Sequence, residues 1–390
     1  MRTLKDLNVD GKAVLVRVDY NVPLDTDGQV ADATRIRATL PTIAWLRERN
    51  ARVVLMSHLG RPDGQVKAGL SLRPVALELE TMLGAPVRFV PECIGPDVVA
   101  ALRQMNPGEV AVLENVRFHA AEEKNDPAFA QQLAANGEVY VNDAFGTAHR
   151  AHASTEGVAH VLPSAAGLLL EREVTVLDSL LHGAQAPFIA VIGGAKVSTK
   201  LAVLESLVDR VQALLIGGGM ANTFLKAQGR EVGKSLLEAD QIPNALALFK
   251  RAAERGVRIE IPTDVVITSK VAADGDRRIV SAGQIPADGI VVDIGPESVE
   301  RYGGVIAGAN TVFWNGPMGV FEIPQFADGT KRIAELIARC GAVTVVGGGE
   351  SVQAVEELGL AENMTHVSTG GGAALEFIEG RILPGVAALQ

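Results

Sequence analysis

Val53-Val54-Leu55-Met56-Ser57-His58-Leu59-Gly60-Arg61 is an aliphatic run that ends on a short polar, cationic segment. The same pattern recurs three times in the first half of the chain. Val14–Val18 runs into Asp19-Tyr20-Asn21, and Val110–Leu113 into Glu114-Asn115-Val116-Arg117. Val139–Val141 runs into Asn142-Asp143-Ala144-Phe145-Gly146-Thr147-Ala148-His149-Arg150-Ala151-His152. Strands are expected at 13–18, 52–57, 87–90, 110–113 and 138–141. Helical patterns near 35–49, 73–83, 97–105 and 127–136 lie between them. Strands alternating with helices make a parallel α/β sheet. The carboxyl ends of such strands face one crevice, where ligands bind. That crevice would collect Arg61, Arg117, His149, Arg150 and His152, a pocket for a small, highly charged anion.

The chain has 390 residues, which at roughly 150 per domain suggests two or three domains. It is 47% hydrophobic but only 4% aromatic, so its cores must be aliphatic. A net charge of −10 argues against nucleic acid or an anionic membrane as the main partner. Any anion site is therefore a local concentration of cations. No apolar run approaches the ~18 residues of a membrane helix, and Met1–Lys12 carries charges where a secretory signal would be apolar. Cys93 and Cys340 lie far apart without metal-type spacing, as expected for free thiols in a reducing cytoplasm.

The second half repeats the alternation. Strands are expected at 187–192, 212–216, 257–261, 265–268, 290–293, 311–314 and 343–346. Helices are expected at 197–208, 219–228, 240–255, 328–339, 350–357 and 372–379. The fold class is α/β: two doubly wound, Rossmann-like parallel-sheet domains joined by a long helix and hinge. The first domain is expected over 1–165 and the connecting helix over 166–183, in an apolar stretch, Ser164–His182, that opens with a Ser164 cap. The second domain covers 184–375, and a tail, 376–390, packs back on the first.

Three glycine clusters follow strand candidates in this half, and a fourth follows Ser368-Thr369 and opens an expected helix. After Phe188–Ile192 comes Gly193-Gly194-Ala195-Lys196-Val197-Ser198-Thr199-Lys200. Glycines let backbone N–H groups approach a phosphate, and the following helix aims its positive end there. Lys196 and Lys200 are four apart, on one face of the expected helix. Gly217-Gly218-Gly219, Gly347-Gly348-Gly349-Glu350-Ser351 and Gly370-Gly371-Gly372 complete a backbone lining for a nucleotide. None fits the spaced glycines of a dinucleotide fingerprint. Gly229-Arg230-Glu231-Val232-Gly233-Lys234-Ser235 resembles a Walker A loop, but it is one residue short and follows a helix, so it reads as a surface loop. In Trp314–Glu322, Asn315 could donate to phosphates and Glu322 could accept from a ribose. Glu350 either caps its helix or ligates a Mg²⁺ carried by the nucleotide. Arg35 opens a helix and suits bidentate phosphate contacts. Asp19 and Asn21 either bind a substrate hydroxyl or form an Asx turn. His58, His149 and His152 sit at strand ends, and the last two could also form a His–carboxylate metal site. No nucleophile elbow or H-E-x-x-H is present. A carboxylate acceptor needs no general base, because it is ionised at neutral pH.

Eight stretches match one family in order: Val16–Pro23, Ser57–Pro62, Leu113–Phe118, Asn142–Ser154, Gly193–Lys200, Gly217–Asn222, Trp314–Glu322 and Ser368–Ala373. Over nearly its whole length the chain resembles the phosphoglycerate kinase family. The resemblance implies a monomeric, cytoplasmic, hinge-bending glycolytic kinase. It would carry 1,3-bisphosphoglycerate plus ADP to 3-phosphoglycerate plus ATP, with Mg²⁺. It places the phosphoglycerate on Asp19, Asn21, Arg35, His58, Leu59, Gly60, Arg61, Arg117 and Arg150, with His149 and His152 in the same basic patch. It places the nucleotide on Lys200, Gly217, Gly218, Gly219, Asn315, Glu322, Gly348, Gly349, Glu350 and Ser351. Arg35 and Lys196, with Lys200 and the backbone of Gly371 and Gly372, would stabilise the moving phosphoryl group. Two positions depart from the family pattern: Glu350 stands where Asp is common, and Tyr20 where Phe or Leu is common.

Overall fold

The aliphatic runs of the first half pair edge to edge as parallel strands. In a computed structural model describing all 390 residues, they are β1 (Ala13–Arg17), β2 (Arg52–Met56), β3 (Val87–Val90), β4 (Val110–Leu113), β5 (Val139–Asn142) and β6 (Ser164–Ala166). Their order is β3-β4-β2-β1-β5-β6, and every pair is parallel. Val14 lies opposite Val53 and Val139, so β-branched side chains stack across the sheet centre. Val14, Val16, Val53, Leu55, Val110, Val112 and Val141 face a layer containing Ile36, Ile43, Leu46, Val75 and Leu79, all buried. Each such side chain contributes about 1.5–3 kcal/mol by leaving water.

Two units divide the chain by their internal contacts: Met1–Thr175 with Ile382–Gln390, and Val176–Arg381. The terminal segment is tied into the first unit, where Asn142 Nδ2 donates to Gly385 O at 3.2 Å and Arg2 N–H to Leu389 O at 2.8 Å. The second unit holds β7 (Phe188–Ile192), β8 (Ala213–Ile216), β9 (Arg258–Glu260), β10 (Asp264–Thr268), β11 (Arg278–Ser281), β12 (Ile290–Ile294), β13 (Thr311–Asn315), β14 (Val343–Gly347) and β15 (His366–Val367). Six of these form a parallel sheet in the order β15-β14-β13-β7-β8-β9. Its core joins Ile189, Val191, Val312 and Trp314 to Ile306, Ile333 and Ile337. No helix is long and apolar enough to cross a membrane.

Several sequence expectations need correction. The stretch from Ser164 is not helical at its start. Ser164–Ala166 is β6, and the helix is Leu168–His182. Its cap comes from Asp143, whose Oδ1 accepts the Leu169 and Leu170 N–H groups at 2.9 and 3.2 Å. The helix expected over 197–208 begins only at Leu201 and ends at Leu207. Ser198 is held instead by Glu238, through its N–H at 3.1 Å and its hydroxyl at 2.5 Å. Lys196 and Lys200 therefore do not share a helix face. A helix that the sequence pattern does not announce covers Pro296–Ile306, where Gly303-Gly304 lowers the helical propensity. The distant Asp264 carboxylate caps it through the Glu297 and Ser298 N–H groups. The second unit also carries an antiparallel sheet, β11-β10-β12, beside the parallel one.

Candidate active site

In the first unit the turns after β1, β2, β4 and β5 leave the same edge of one parallel sheet, so their side chains converge. Arg35, in the first turn of the helix Thr34–Arg47, reaches back to β1, with Nη1 2.7 Å from Asp19 Oδ2. Asp19 also accepts from the Asn21 N–H at 3.4 Å, a long Asx-type contact, which leaves Asn21 Oδ1 to accept the Gly60 N–H at 2.8 Å. Gly60 adopts φ +64°, a left-handed conformation suited to glycine. The Leu59 carbonyl accepts from Asn115 Nδ2 at 2.8 Å and the Gly60 carbonyl from Arg117 Nη1 at 3.1 Å. The loop His58–Arg61 is thus fixed on both sides before any ligand arrives.

One imidazole records the convergence. Burial, then the positive charges of Arg17, Arg117, Arg150 and Arg35, hold His58 well below the usual histidine range. His152 is held down to about 4 by burial and then by Arg117, Arg17, Arg150 and His149. Both rings are neutral at pH 7, so the positive charge resides on guanidinium groups. Burial also lowers Arg117, most of whose side chain is covered. Its Nη2 is buried without a hydrogen-bond partner, although Nε lies 3.4 Å from Glu123. A buried donor left unpaired is costly unless a ligand satisfies it. Arg150 donates through Nε to His149 Nε2 at 3.2 Å. Arg61 is exposed and its side chain makes no hydrogen bond or ion pair within the protein.

Sequence reasoning passed over two members of this constellation. Arg17, the last residue of β1, is fully buried and donates to Ser154 Oγ at 2.7 Å, with Nη2 3.1 Å from His58 Nδ1. Glu122 is also fully buried, accepting the Ser154 N–H at 2.9 Å and hydroxyl at 2.6 Å. The readable signal was a charge inside the run Val14–Val18; Glu122 offered none. His152 Nδ1 lies 3.9 Å from Glu122 Oε1. The 149/152 pair does not join a cluster with metal-ligand geometry; the one such cluster is Glu92, Cys93 and His119.

In the second unit the four central strands of the parallel sheet also end on one edge, but here they present bare backbone. The glycines divide into two kinds. A Cβ on Gly193 would stand 2.1 Å from Pro317 O, and one on Gly218 2.6 Å from Gly194 N. One on Gly217 would meet Met318 Sδ at 2.4 Å, and one on Gly348 would meet Asn315 Nδ2 at 2.6 Å. These glycines let loops pack on each other; Gly219 is only slightly looser, 3.0 Å from Ala195 O. Gly349, Gly371 and Gly372 face open space. They line a cavity of about 250 Å³ with Lys200, Gly316, Gly348, Glu350, Ser351 and Leu375.

The polar groups of that cavity are pre-set. Lys200 Nζ donates to Asn315 Oδ1, and Asn315 Nδ2 donates to Gly347 O at 2.7 Å. Ser351 Oγ donates to Gly347 O and accepts the Gly316 N–H at 3.0 Å. Burial pulls the Lys200 ammonium down to about 8, and Glu350 opposes the shift. Glu350 is exposed in the first turn of the helix Gly349–Glu357 and makes no hydrogen bond within the protein. Lys196 and Glu322 are exposed and outside the cavity lining. The Walker-like stretch packs on backbone: a Cβ on Gly233 would meet Gly289 O at 2.4 Å, and Ser235 Oγ accepts the Val291 N–H at 2.9 Å.

Known proteins agree with one another. Residues 4–381 match the family model described as phosphoglycerate kinase. The phosphoglycerate kinase of Thermomicrobium roseum is 57% identical over 390 residues, 100% of this chain and 99% of that protein. That of Moorella thermoacetica is 57% identical over 387 residues, 99% of this chain and 98% of that protein. Among solved structures, the phosphoglycerate kinase of Coxiella burnetii superposes with a TM-score of 0.90 at 40% identity, covering 99% of this chain and 98% of that one. The enzyme of Pyrococcus horikoshii OT3 gives 0.88 at 33% identity, covering 100% and 98%.

Proposed function

The chain belongs to the phosphoglycerate kinase family, and on that premise we propose how its residues divide the reaction. The activity is reversible phosphoryl transfer from 1,3-bisphosphoglycerate to ADP, giving 3-phosphoglycerate and ATP, a step of glycolysis. The first unit takes the phosphoglycerate. Arg117, Arg150, Arg61 and Arg35 neutralise its anionic groups, while Asp19 and Asn21 accept from its hydroxyl. His58, Leu59 and Gly60 shape the loop, and His149 and His152 border it. The orphaned Nη2 of Arg117 is the observation that carries this assignment. The second unit takes the nucleotide. Lys200 and the open backbone of Gly349, Gly371 and Gly372 meet its phosphates. Gly217, Gly218, Gly219, Gly348 and Ser351 form the walls, Asn315 orients Lys200, and Glu322 reaches the ribose.

A Mg²⁺ carried by the nucleotide fits the donor set. Mg²⁺ is typically bound by one or two carboxylates plus substrate phosphates, and Glu350 is a carboxylate with no internal partner at the cavity edge. When bound, the ion would neutralise charge on the phosphate oxygens. Glu350 has one methylene more than Asp, so it reaches farther from its helix.

No general base is needed, because the accepting carboxylate is already ionised. The chain's task is positioning and charge neutralisation. Arg35 and Lys196 are proposed to stabilise the phosphoryl group in flight, which requires the two bound substrates to be brought together during turnover. The reading includes a cytoplasmic monomer with no nucleic-acid or membrane partner. The test is a coupled assay with 3-phosphoglycerate, ATP and Mg²⁺, with acetate and aspartate as rival acceptors. Turnover restricted to 3-phosphoglycerate supports the reading; comparable turnover with either rival acid refutes it.

A further inference from the structure

The turn after β3 and the turn after Phe118 bring a carboxylate, a thiol and an imidazole to one point. A carboxylate oxygen of Glu92, Sγ of Cys93 and a ring nitrogen of His119 all lie within 4.8 Å of one another. Glu92 Oε1 is the hub, 2.8 Å from His119 Nε2 and accepting the Cys93 N–H at 2.6 Å. The cluster is buttressed from behind. Asn136 Nδ2 donates to Cys93 O at 2.7 Å, and the Phe129 ring packs against His119 with centroids 5.2 Å apart. Cys93 is buried, His119 is half-buried and Glu92 is exposed, so the trio is closed on the inside and open toward solvent.

We propose that Glu92, Cys93 and His119 form a binding site for a thiophilic divalent cation of the zinc class, with water in the fourth position. Three protein ligands plus an open position is a known tetrahedral zinc arrangement. Bonds of about 2.0–2.3 Å to a central ion set ligand atoms roughly 3–4 Å apart. Reaching that spacing takes a shift of roughly 1 Å or less at each contact: the 2.8 Å His119–Glu92 pair opens, and any pair near the 4.8 Å limit closes. A thiolate and an imidazole disfavour Mg²⁺ and Ca²⁺, which select oxygen. The site is thus distinct in chemistry and place from any ion carried by nucleotide. Binding replaces the Cys93 S–H bond with an S–metal bond and releases that proton to water, while His119 binds through a neutral nitrogen. Burial, then the charge of Glu92, push the free thiol up, so affinity rises with pH. His119 directly follows the short helix Val116–Phe118 that carries Arg117, so an ion here would tie down the segment presenting that guanidinium.

The test titrates metal-free, full-length protein with Co²⁺ and Zn²⁺ in the absence of nucleotide, reading thiolate-to-cobalt charge-transfer absorption and calorimetric stoichiometry. Wild type should bind one ion per chain with that absorption, and Zn²⁺ should displace it. Cys93→Ser should abolish the band, and Cys340→Ser should leave it unchanged. Glu92→Gln, at a solvent-exposed position, should weaken Zn²⁺ at least about tenfold. All three variants should keep wild-type turnover, since none alters the catalytic machinery. If Cys93→Ser fails to fold, Glu92→Gln decides alone. No charge-transfer band in wild type, a band lost with Cys340→Ser, or Glu92→Gln binding Zn²⁺ like wild type would each reduce the cluster to a hydrogen-bonded tie and overturn the proposal.

Discussion

Replacing Lys200 by Met keeps most of the apolar stem and removes the charge, and its consequences can be worked out in sign and size. Burial holds the ammonium at about 8 rather than 10.5. In the free protein the charged fraction therefore drops from about nine-tenths at pH 7 to about one-tenth at pH 9. If this cation meets nucleotide phosphates, wild-type affinity for MgADP should fall roughly tenfold between those pH values. The variant has no charge to lose. Its affinity at pH 7 should be weaker by about 1.5–3 kcal/mol, the worth of a hydrogen bond to a charged group, or roughly ten- to a hundredfold. Its pH dependence across this interval should vanish.

The same burial acts the other way on the ligand-free fold. The gap between 10.5 and about 8 is on the order of 3 kcal/mol against the buried charge at pH 7, an upper bound because part of the side chain remains wet. Between pH 8 and 10.5 the unfolded chain binds this proton and the folded one does not. Stability from this group is therefore lowest below about pH 8 and rises through that window. Lys200→Met should raise the apo Tm while weakening ADP, a trade of stability for function. Calorimetric titration of MgADP at pH 7 and pH 9, with thermal unfolding of both proteins, checks both halves. Wild-type affinity that stays flat from pH 7 to 9 and is matched by the variant would refute the reasoning.

Other perturbations separate the roles of the remaining groups. Arg35→Ala should lower kcat by about 10²–10³, the cost of losing a charge-stabilising donor, with MgADP affinity unchanged; a parallel loss of nucleotide affinity in calorimetry would contradict the role. Gly193→Ala should destabilise the fold by about 1–3 kcal/mol in denaturant unfolding, because its Cβ would stand 2.1 Å from Pro317 O. Gly372→Ala meets nothing within 4 Å, so it should leave stability intact and weaken MgADP binding. His152 is neutral down to about pH 4 in the fold, but its unfolded ring takes a proton near 6.5. The unfolded state therefore binds more protons between those values, and this group's contribution falls as pH drops from 6.5 toward 4. The His152 resonance should not titrate between pH 6 and 8 in free protein, and should begin to do so when 3-phosphoglycerate raises its pKa. A free ring titrating at 6.5 would show that neither burial nor the guanidinium groups act on it.

What could be read from the chain was what local pattern controls. The runs at Val53–Met56 and Val110–Leu113 are buried on both faces and aliphatic, with two β-branched valines each, so they announce parallel strands. The residues just beyond them land at the sheet's carboxyl edge by topology alone, and that gathers Asp19, His58, Arg117 and Arg150. What could not be read was controlled by partners far along the chain. Ser164–Ala166 has no strand propensity of its own and becomes β6 only by pairing with β5. The helix after it starts where Asp143 caps it. Arg278–Ser281 is an edge strand with Ile279 exposed, so no alternating burial marks it. Glycine clusters look alike in sequence, yet Gly193 and Gly218 serve loop packing while Gly349 and Gly372 are free to meet a ligand. Glu122 and Arg17 are buried opposite charges whose burial depends on a third residue, Ser154, that no spacing connects to them.

Crossed calorimetric titration tests the division of substrates most directly: 3-phosphoglycerate and MgADP, each into wild type, Arg35→Ala and Lys200→Met. The account predicts that Arg35→Ala weakens only 3-phosphoglycerate and Lys200→Met only MgADP, each by roughly tenfold or more. Either substitution weakening both ligands equally, or the pattern reversing, would contradict it.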